Sequence, residues 1–186
     1  MATTMQPLLA FNFRVFFAPT AVESAALDTG DASAAAAGLA GGLVSAANGI
    51  GFAEVNGLDS EMEHEEYREG GRNIGPRIFP RWGRYPRLVM RRGVTDSTFL
   101  WDWWADVISR SYTLSVTVAP PRRNGVILLE TVDHQAKAGW FFSNALPERL
   151  VGPSLGARSN EIAIEALEMT VETLLRLPAA NLPRSA

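Results

Sequence analysis

Residues 126–143, VILLETVDHQAKAGWFFS, decide the fold class of this chain. Residues 126–132 and 139–143 are short runs rich in aliphatic and aromatic side chains, which favour β-strands. Residues 133–138 between them are few and mostly polar, as is usual for the connection of a hairpin. The stretch predicts two paired antiparallel strands and a sheet that contains them.

The first two strands are predicted near the start of the chain. Residues 9–17 (LAFNFRVFF) alternate loosely and are rich in aromatic residues, which suits a strand with one buried face. Residues 51–58 carry the apolar Phe52 and Val55 and reach Asn56-Gly57, a dipeptide that readily supplies positive φ for a turn or bulge. The second strand is therefore expected to end near Asn56.

The last element, after residue 160, has two interpretations. Four glutamates stand at helical spacing and four apolar residues would line the opposite side, which favours a helix. These two sets are Glu161, Glu165, Glu168 and Glu172, and Ile164, Leu167, Val171 and Leu174. Residues 161–165 (EIAIE) instead begin as a β-like alternation, so a strand that runs into a terminal helical turn is also possible.

A long, highly charged hairpin is predicted between residues 59 and 91. From Asp59 the chain alternates with a period of two, and neither face is apolar enough to be simple core. Gly70-Gly71 breaks the first strand, and residues 88–91 resume as a strand after several Gly and Pro residues. Carboxylates gather at the start of this region and arginines in its later part. These charges pair either within one hairpin or between copies of the chain, where they set orientation and register.

The second of these possibilities gives a set of candidate inter-subunit contacts. Arginine suits such contacts because its guanidinium binds a carboxylate through two hydrogen bonds. The candidates are Glu61, Glu63, Glu65, Arg68, Glu69, Arg72, Arg77, Arg84 and Arg91.

One amphipathic helix is predicted over residues 96–109, with Asp96 or Ser97 as its N-terminal cap. Five apolar residues recur at the i, i+3, i+4, i+7, i+8 spacing of a single buried stripe. They are Leu100, Trp103, Trp104, Val107 and Ile108. The helix must therefore lie on an apolar surface.

Together these elements predict a mainly β (α+β) fold. We expect an antiparallel β-barrel or sandwich with one packed amphipathic helix and a long protruding hairpin. A chain of 186 residues with 47% hydrophobic and 20% charged residues suits one domain over residues 1–186. An Ala/Gly-rich insert at about 19–49 is interpreted as a long loop, because it has too few strong hydrophobes for insertion into a membrane.

Composition and motifs disfavour several classes of function. A formal net charge of −3 gives no basic field for nucleic acid or an anionic membrane. The sequence has no cysteine, so disulfides, thiolate metal sites and cysteine nucleophiles are absent. His64 and His134 lack a partner at metal-ligand spacing and an evident orienting carboxylate, and no Gly-x-Ser-x-Gly elbow or phosphate-binding glycine loop occurs. We expect no catalytic residue, no metal site and no cofactor, and therefore no enzyme.

Seven segments resemble, in the same order, the motifs of the phage tail tube family, found in contractile tails and extracellular contractile injection systems. Each segment alone is a weak signal, whereas the ordered set is specific. The segments are EYREGG at 66–71, YP at 85–86, RGVT at 92–95, LWDW at 100–103, WFFSNALP at 140–147, GP at 152–153 and NEIAIE at 160–165. The resemblance runs from about Phe11 to about Leu175.

The resemblance implies a β-barrel-like sandwich with one helix, in which the segment after Asn160 is a strand. It implies homohexameric rings that stack into a hollow tube inside a contractile sheath. The implied partners are further copies of the chain, the sheath protein, baseplate, hub and spike proteins, and DNA or an effector as cargo in the lumen. It implies neither a cofactor nor catalysis. Because the N-terminus lacks the pattern of a secretory signal, we expect cytoplasmic synthesis and assembly, followed by incorporation into a phage tail or an injection particle.

Two segments depart from the family pattern. The first is the insert at 19–49, which stands where members of the family usually have a short loop. The second is residues 111–121 (SYTLSVTVAPP), which stand where members usually have a charged segment. The insert allows a second interpretation, a baseplate-proximal tube initiator whose rings bind hub or spike proteins and stack on one side only. A third interpretation is a small β-sandwich domain that binds a ligand through Trp101, Trp103 and Trp104; it predicts a monomer with exposed aromatic residues.

Overall fold

The computed structural model describes residues 12–19, 36–42, 49–71, 74–112, 121–158, 160–178 and 182 of the chain. Within these residues the backbone forms nine strands and two helices. In chain order they are β1 (Phe13–Pro19), α1 (36–42), β2 (Glu54–Asn56), β3 (Glu61–Tyr67), β4 (Arg77–Arg84), β5 (Leu88–Gly93), α2 (Phe99–Tyr112), β6 (Arg123–Glu130), β7 (Ala136–Val151), β8 (Ile164–Thr170) and β9 (Thr173–Leu177).

Two antiparallel sheets share strand β7. The first sheet has the order β1-β6-β7-β9, and the second has the order β2-β5-β8-β7. β7 is 16 residues long; its first half pairs with β6 and β9, and its second half pairs with β8. The hairpin expected from residues 126–143 is thus β6–β7, and the predicted mainly β, antiparallel class is confirmed.

The described residues form a sandwich, and no continuous ladder among them closes a barrel. β1 and β2 are the outer strands of the two sheets. Where they approach each other, a single bridge joins Val15 to Ile50 through backbone hydrogen bonds of 2.8 and 3.3 Å. Both sheets contribute side chains to one buried cluster between them. Its members include Val15, Phe17, Ile127, Phe142, Leu88, Met90, Leu167 and Met169.

Strand β7 bends from one sheet into the other at Asn144. Arg123 is opposite Ala145 but Gly125 is opposite Phe142, so β7 carries one extra residue at this point. Asn144 has a φ of 53°, a left-handed conformation that asparagine tolerates better than most residues. Its backbone N–H donates to the side-chain oxygen of Asn124 at 3.0 Å, which stabilises this bulge.

Helix α2 packs against the core through the predicted apolar stripe. Leu100, Trp103 and Val107 are buried, whereas Trp104 and Ile108 are half-buried. The ring of Phe17 lies 5.7 Å from that of Trp103. The helix begins at Phe99, later than predicted. Thr98, and not Asp96 or Ser97, precedes its first turn. The Thr98 hydroxyl donates to Asp102 at 2.7 Å.

Helix α1 corrects the interpretation of the insert as a loop. Ala36 and Ala40 lie one turn apart and are fully buried on the outer face of the first sheet. They share one cluster with Phe16, Val126, Leu128, Phe141 and Leu177. An Ala/Gly tract carries no apolar periodicity, so no amphipathic stripe predicted a helix at residues 36–42. Residues 20–35 and 43–48 of the insert lie outside the described part of the chain.

The C-terminal segment forms strands, so its interpretation as a helix is wrong. In β8, Glu165, Leu167 and Met169 are buried and alternate with half-buried residues, which is a period of two. β9 follows after a two-residue break. The helical spacing of the four glutamates suggested one polar face of a helix, but Glu165 is buried in the interior.

A buried ion pair ties α2 to the second sheet. The side chains of Arg92 and Glu165 are each 3% exposed, and Nε of Arg92 donates to Oε1 of Glu165 at 2.6 Å. The indole N–H of Trp101 donates to the other carboxylate oxygen at 3.0 Å, and Arg92 also donates to the Ser97 carbonyl at 3.0 Å. Three of the sequence motifs, RGVT, LWDW and NEIAIE, therefore meet at one buried charge pair.

Substitution of Ala40 by glutamate tests the packing of α1. We expect Ala40→Glu to lower the free energy of unfolding by about 2 kcal/mol or more, because it forces a charge into a buried apolar contact. Gly38→Glu is the matched control, since Gly38 is exposed on the same helix with open space around it; a change within about 0.5 kcal/mol is expected there. Urea unfolding measures both, and equal stability of the two variants would show that α1 does not pack on the sheet.

Substitution of Glu165 tests the ion pair. Glu165→Gln is expected to cost about 3–5 kcal/mol, because it leaves Arg92 buried without a counter-charge. Glu168→Gln, on the same strand, breaks the pair with the exposed Arg149 at 3.1 Å and should cost about 1 kcal/mol or less.

The double variant Arg92→Met/Glu165→Met separates the pair from general packing. Because it removes both charges, it is expected to be more stable than Glu165→Gln alone. Chemical unfolding of all three variants decides the point; similar losses for Glu165→Gln and Glu168→Gln would contradict it.

Candidate functional site

The charged hairpin stands apart from the sandwich. The prediction that residues 88–91 form its second strand is wrong, because these residues belong to β5 and pair with β2 and β8 in the sandwich. Instead β3 and β4 pair antiparallel, from Glu61 opposite Arg84 to Tyr67 opposite Arg77. Every residue of both strands is exposed. A two-stranded ribbon is only marginally stable in water by itself. Contacts with other protein surfaces would therefore stabilise this hairpin.

Most of the predicted contact residues on the hairpin form ion pairs with one another. Arg84 lies 2.9 Å from Glu61 and 3.6 Å from Glu63. Arg81, which the sequence-based set omitted, lies 3.5 Å from Glu65, and Arg77 lies 3.2 Å from Glu69. Each such exposed pair contributes only about 0–1 kcal/mol. The charges thus pair within the hairpin and still face solvent, where a neighbouring copy can reach them.

The remaining predicted contact residues lie elsewhere. Arg68 is exposed at the end of β3, and no described carboxylate forms an ion pair with it. Arg72 lies outside the described residues. Arg91 is in β5, where it binds Glu54 at 3.2 Å. A hydrogen bond from Asn56, and then the charge of Arg91, lower the pKa of the Glu54 carboxyl, so this pair persists in mildly acidic solution.

Sequence reasoning missed the exposed apolar side chains of the hairpin. They are Met62, Tyr67, Ile78, Phe79 and Trp82. The period-two alternation predicted from Asp59 contains Met62 and Tyr67, whereas the other three lie in the Gly- and Pro-containing stretch where no strand was predicted. Clusters of exposed apolar side chains rimmed by charges are typical of surfaces that bind another protein.

The tryptophans of α2 do not form an exposed ligand platform. Trp103 is buried, and its indole N–H donates to the Pro121 carbonyl at 2.7 Å. The guanidinium of Arg123 lies 5.4 Å from the Trp103 ring centre, and burial lowers the pKa of this arginine. Trp104 is half-buried. Of the three residues, only Trp101 is exposed, and its N–H is bound to Glu165.

One apolar groove of about 300 Å³ lies beside β2. Its lining carries a single charged residue, Glu54, which Asn56 and Arg91 already bind. The other lining residues are Phe13, Ala53, Val55, Leu58, Ile127, Leu129 and Trp140. Such a groove lacks the convergent polar groups that orient a small ligand.

The two histidines lie in different parts of the surface. His64 is on the hairpin, and His134 is in the turn between β6 and β7. Nδ1 of His134 lies 3.5 Å from Glu130, a carboxylate that the sequence did not reveal as its neighbour. Glu130 already accepts hydrogen bonds of 2.9 and 3.0 Å from Nε of Arg14. Across the described residues, no three His, Asp or Glu side chains are grouped to hold a metal ion.

Neither helix in the described part of the chain is long and apolar enough to cross a membrane.

The fold resembles solved structures of contractile particles. A chain in the anti-feeding prophage (AFP) baseplate, 6-fold symmetrised, superposes with a TM-score of 0.71 at 23% identity, over 95% of this chain and 99% of that one. A chain of the sheath–tube complex of PVC, an extracellular contractile injection system in its extended state, gives 0.64 at 22% identity over 93% of both chains. A chain of the AFP tube terminating cap gives 0.67 at 20% identity over 96% of both. At these identities the likeness establishes a shared fold.

At the sequence level, no curated protein matches the chain significantly. Its residues 9–175 do match a family profile, that of the T4-like virus tail tube protein gp19. This match covers most of the chain and includes all seven motif segments. The chain therefore belongs to the T4-like virus tail tube protein gp19 family.

Proposed function

We propose that this chain is the inner tube subunit of a contractile, phage tail-like injection system. Copies assemble into homohexameric rings, and the rings stack into a hollow tube through which an effector or DNA passes. The observation that carries the proposal is the hairpin β3–β4, a charged and apolar ribbon exposed on all sides in a member of a tail tube family. A ribbon of this kind gains stability when another subunit covers it.

Closure of a ring would cover the edge strands of the sandwich that pair on one side only. β1, β2 and β9 each pair on one side only among the described strands. Unpaired edges favour association, and a head-to-tail contact that closes on itself limits that association to a ring. The six-fold symmetry of the AFP baseplate structure supports six as the number of copies.

The partners follow from the position of a tube in such a particle. The PVC structure with a similar chain is a sheath–tube complex, and the AFP structure is a baseplate. We propose a contractile sheath protein around the tube, and hub or spike proteins at its end. The tube acts mechanically, as a conduit pushed through an envelope, so no residue of it is assigned a catalytic or cofactor-binding role. Assembly takes place in the cytoplasm, and the tube then remains part of a phage tail or injection particle.

A baseplate-proximal tube initiator is the second candidate function. The insert favours it, because α1 covers the outer face of the first sheet and makes this chain different from members with a short loop. An initiator forms rings that bind hub or spike proteins and stack on one side only.

Electron microscopy of the purified chain, beside its mass in solution, tests the proposal. We expect rings with six times the 20.2 kDa mass of one chain, and stacks of these rings at high concentration. Negative staining and light scattering measure both. Rings that never stack would favour the initiator, whereas a monomer at every concentration would contradict both candidates.

Charge reversal on the hairpin tests its role in assembly. Glu63→Arg/Glu65→Arg/Arg68→Glu is expected to abolish tubes, because it places like charges against the unchanged arginines and removes complementarity with a neighbour. Asp133→Arg, in the exposed β6–β7 turn, makes the same net change in charge and should assemble as the parent chain does. The readout is tube length and number in electron micrographs. Tubes of parental length from the hairpin variant would remove the hairpin from the assembly contacts.

A further inference from the structure

We infer that helix α1 lies on the inside of the tube, where it adds an inner layer to the wall that surrounds the cargo. This inference rests on the proposed function, since it requires a closed ring of copies. α1 belongs to the insert by which this chain differs from tail tube proteins with a short loop at this place. Its position follows from which sheet joins neighbouring copies and from the room that a ring leaves inside.

The first sheet is the one suited to continue from copy to copy. Its outer strands, β1 with seven residues and β9 with five, each pair on one side only among the described strands. Its ladders are all antiparallel, so β1 and β9 run in opposite directions. Rotation about the ring axis keeps the direction of each strand along that axis, so β9 of one copy beside β1 of the next forms another antiparallel pair. The second sheet offers only the three-residue β2 at one of its edges.

The width of the first sheet sets the size of such a ring. Neighbouring strands lie about 4.8 Å apart, so four strands from each of six copies form a ring with a radius of about 18 Å when upright and about 24 Å at the tilt usual in barrels. A layer packed on the inner side of this ring lies about 10 Å closer to the axis. Each copy then has an arc of about 9–15 Å for its inner layer.

Helix α1 fits this arc, whereas the second sheet does not. The second sheet has four strands, β2-β5-β8-β7, which need about 19 Å or more. A helix of seven residues is about 10 Å both in length and in width. The second sheet therefore lies outside the ring of strands. α1, which packs on the opposite face of the first sheet, lies inside it.

The residues of α1 suit a thin inner layer. Ala36 and Ala40 face the sheet and are fully buried, and their small side chains let the helix lie close to the strands. Gly38 and Gly42 are exposed on the other side of the helix. Residues 36–42 contain no charged side chain, so α1 offers no cation to the phosphates of a nucleic acid. The surface that cargo meets at α1 is thus small and uncharged.

Biotin placed on α1 tests this position. The chain has no cysteine, so Gly38→Cys introduces a single thiol on the exposed side of α1, where the space is open. Chains biotinylated at this thiol are mixed with an excess of parent chain, so that tubes form even if the adduct disfavours assembly. Streptavidin is a folded protein wider than the lumen. We expect intact tubes to lose streptavidin binding and dissociated tubes to regain it.

Arg149→Cys is the matched control. Arg149 is exposed, and its ion pair with Glu168 lies on the face of the second sheet that is turned away from the core. The inferred arrangement places this face on the exterior of the tube. Biotin at residue 149 should therefore bind streptavidin equally before and after dissociation, along the whole length of the tubes in electron micrographs.

The outcomes separate the inference from the function on which it rests. Streptavidin bound along intact tubes that carry the Gly38→Cys label would place α1 on the exterior and overturn the inference, while the tube function stands. Protection of both positions would also overturn it, because the second sheet would then not lie outside. A chain that forms no rings overturns the proposed function and the inference together.

Discussion

The structure depends on the burial of Arg92 against Glu165. Taking two charges out of water costs several kcal/mol per ion, and their attraction offsets this cost only when the geometry is good and the remaining polar atoms are bonded. The Trp101 indole and the Ser97 carbonyl supply those bonds. The pair consequently fixes the first turn of α2, the end of β5 and the start of β8 relative to one another.

The residues that carry the family resemblance are structural constraints of this kind. Arg92 and Glu165 form the buried pair to which the exposed Trp101 donates, and Asn144 forms the bulge at which β7 passes between sheets. Outside the seven segments, Gly57 has a φ of 89°, and a β-carbon there would lie 2.1 Å from the Arg87 carbonyl oxygen, so only glycine fits. The motif series therefore includes residues that hold this sandwich together.

The sequence pattern predicted an element correctly where each face of that element meets a single environment along its whole length. The stripe of α2 and the alternation of β3 were predicted correctly because each face of these elements meets either core or solvent throughout. β8 was ambiguous because its buried face includes Glu165, whose charge is balanced by a residue 73 positions away. Helix α1 was not predicted because a run of alanines does not mark one face as apolar. Ala36 and Ala40 are buried because the first sheet packs against them. The start of α2 was predicted too early because Asp96, Ser97 and Thr98 are all capping residue types, and Thr98 is the one that precedes the first turn. For the hairpin, the charged residues and their pairing with one another were among the sequence-based expectations, but which residues pair, and the exposed Trp82, became evident only from the strand register.

The sandwich and the hairpin are stabilised by different means, which links folding to assembly. The sandwich buries its side chains between sheets, at about 1.5–3 kcal/mol for each large apolar residue. The hairpin buries none, and its exposed ion pairs contribute at most about 1 kcal/mol each. If a neighbouring copy covers Ile78 and Trp82 in the proposed tube, burial of these two side chains stabilises the hairpin, to which its own exposed ion pairs contribute little.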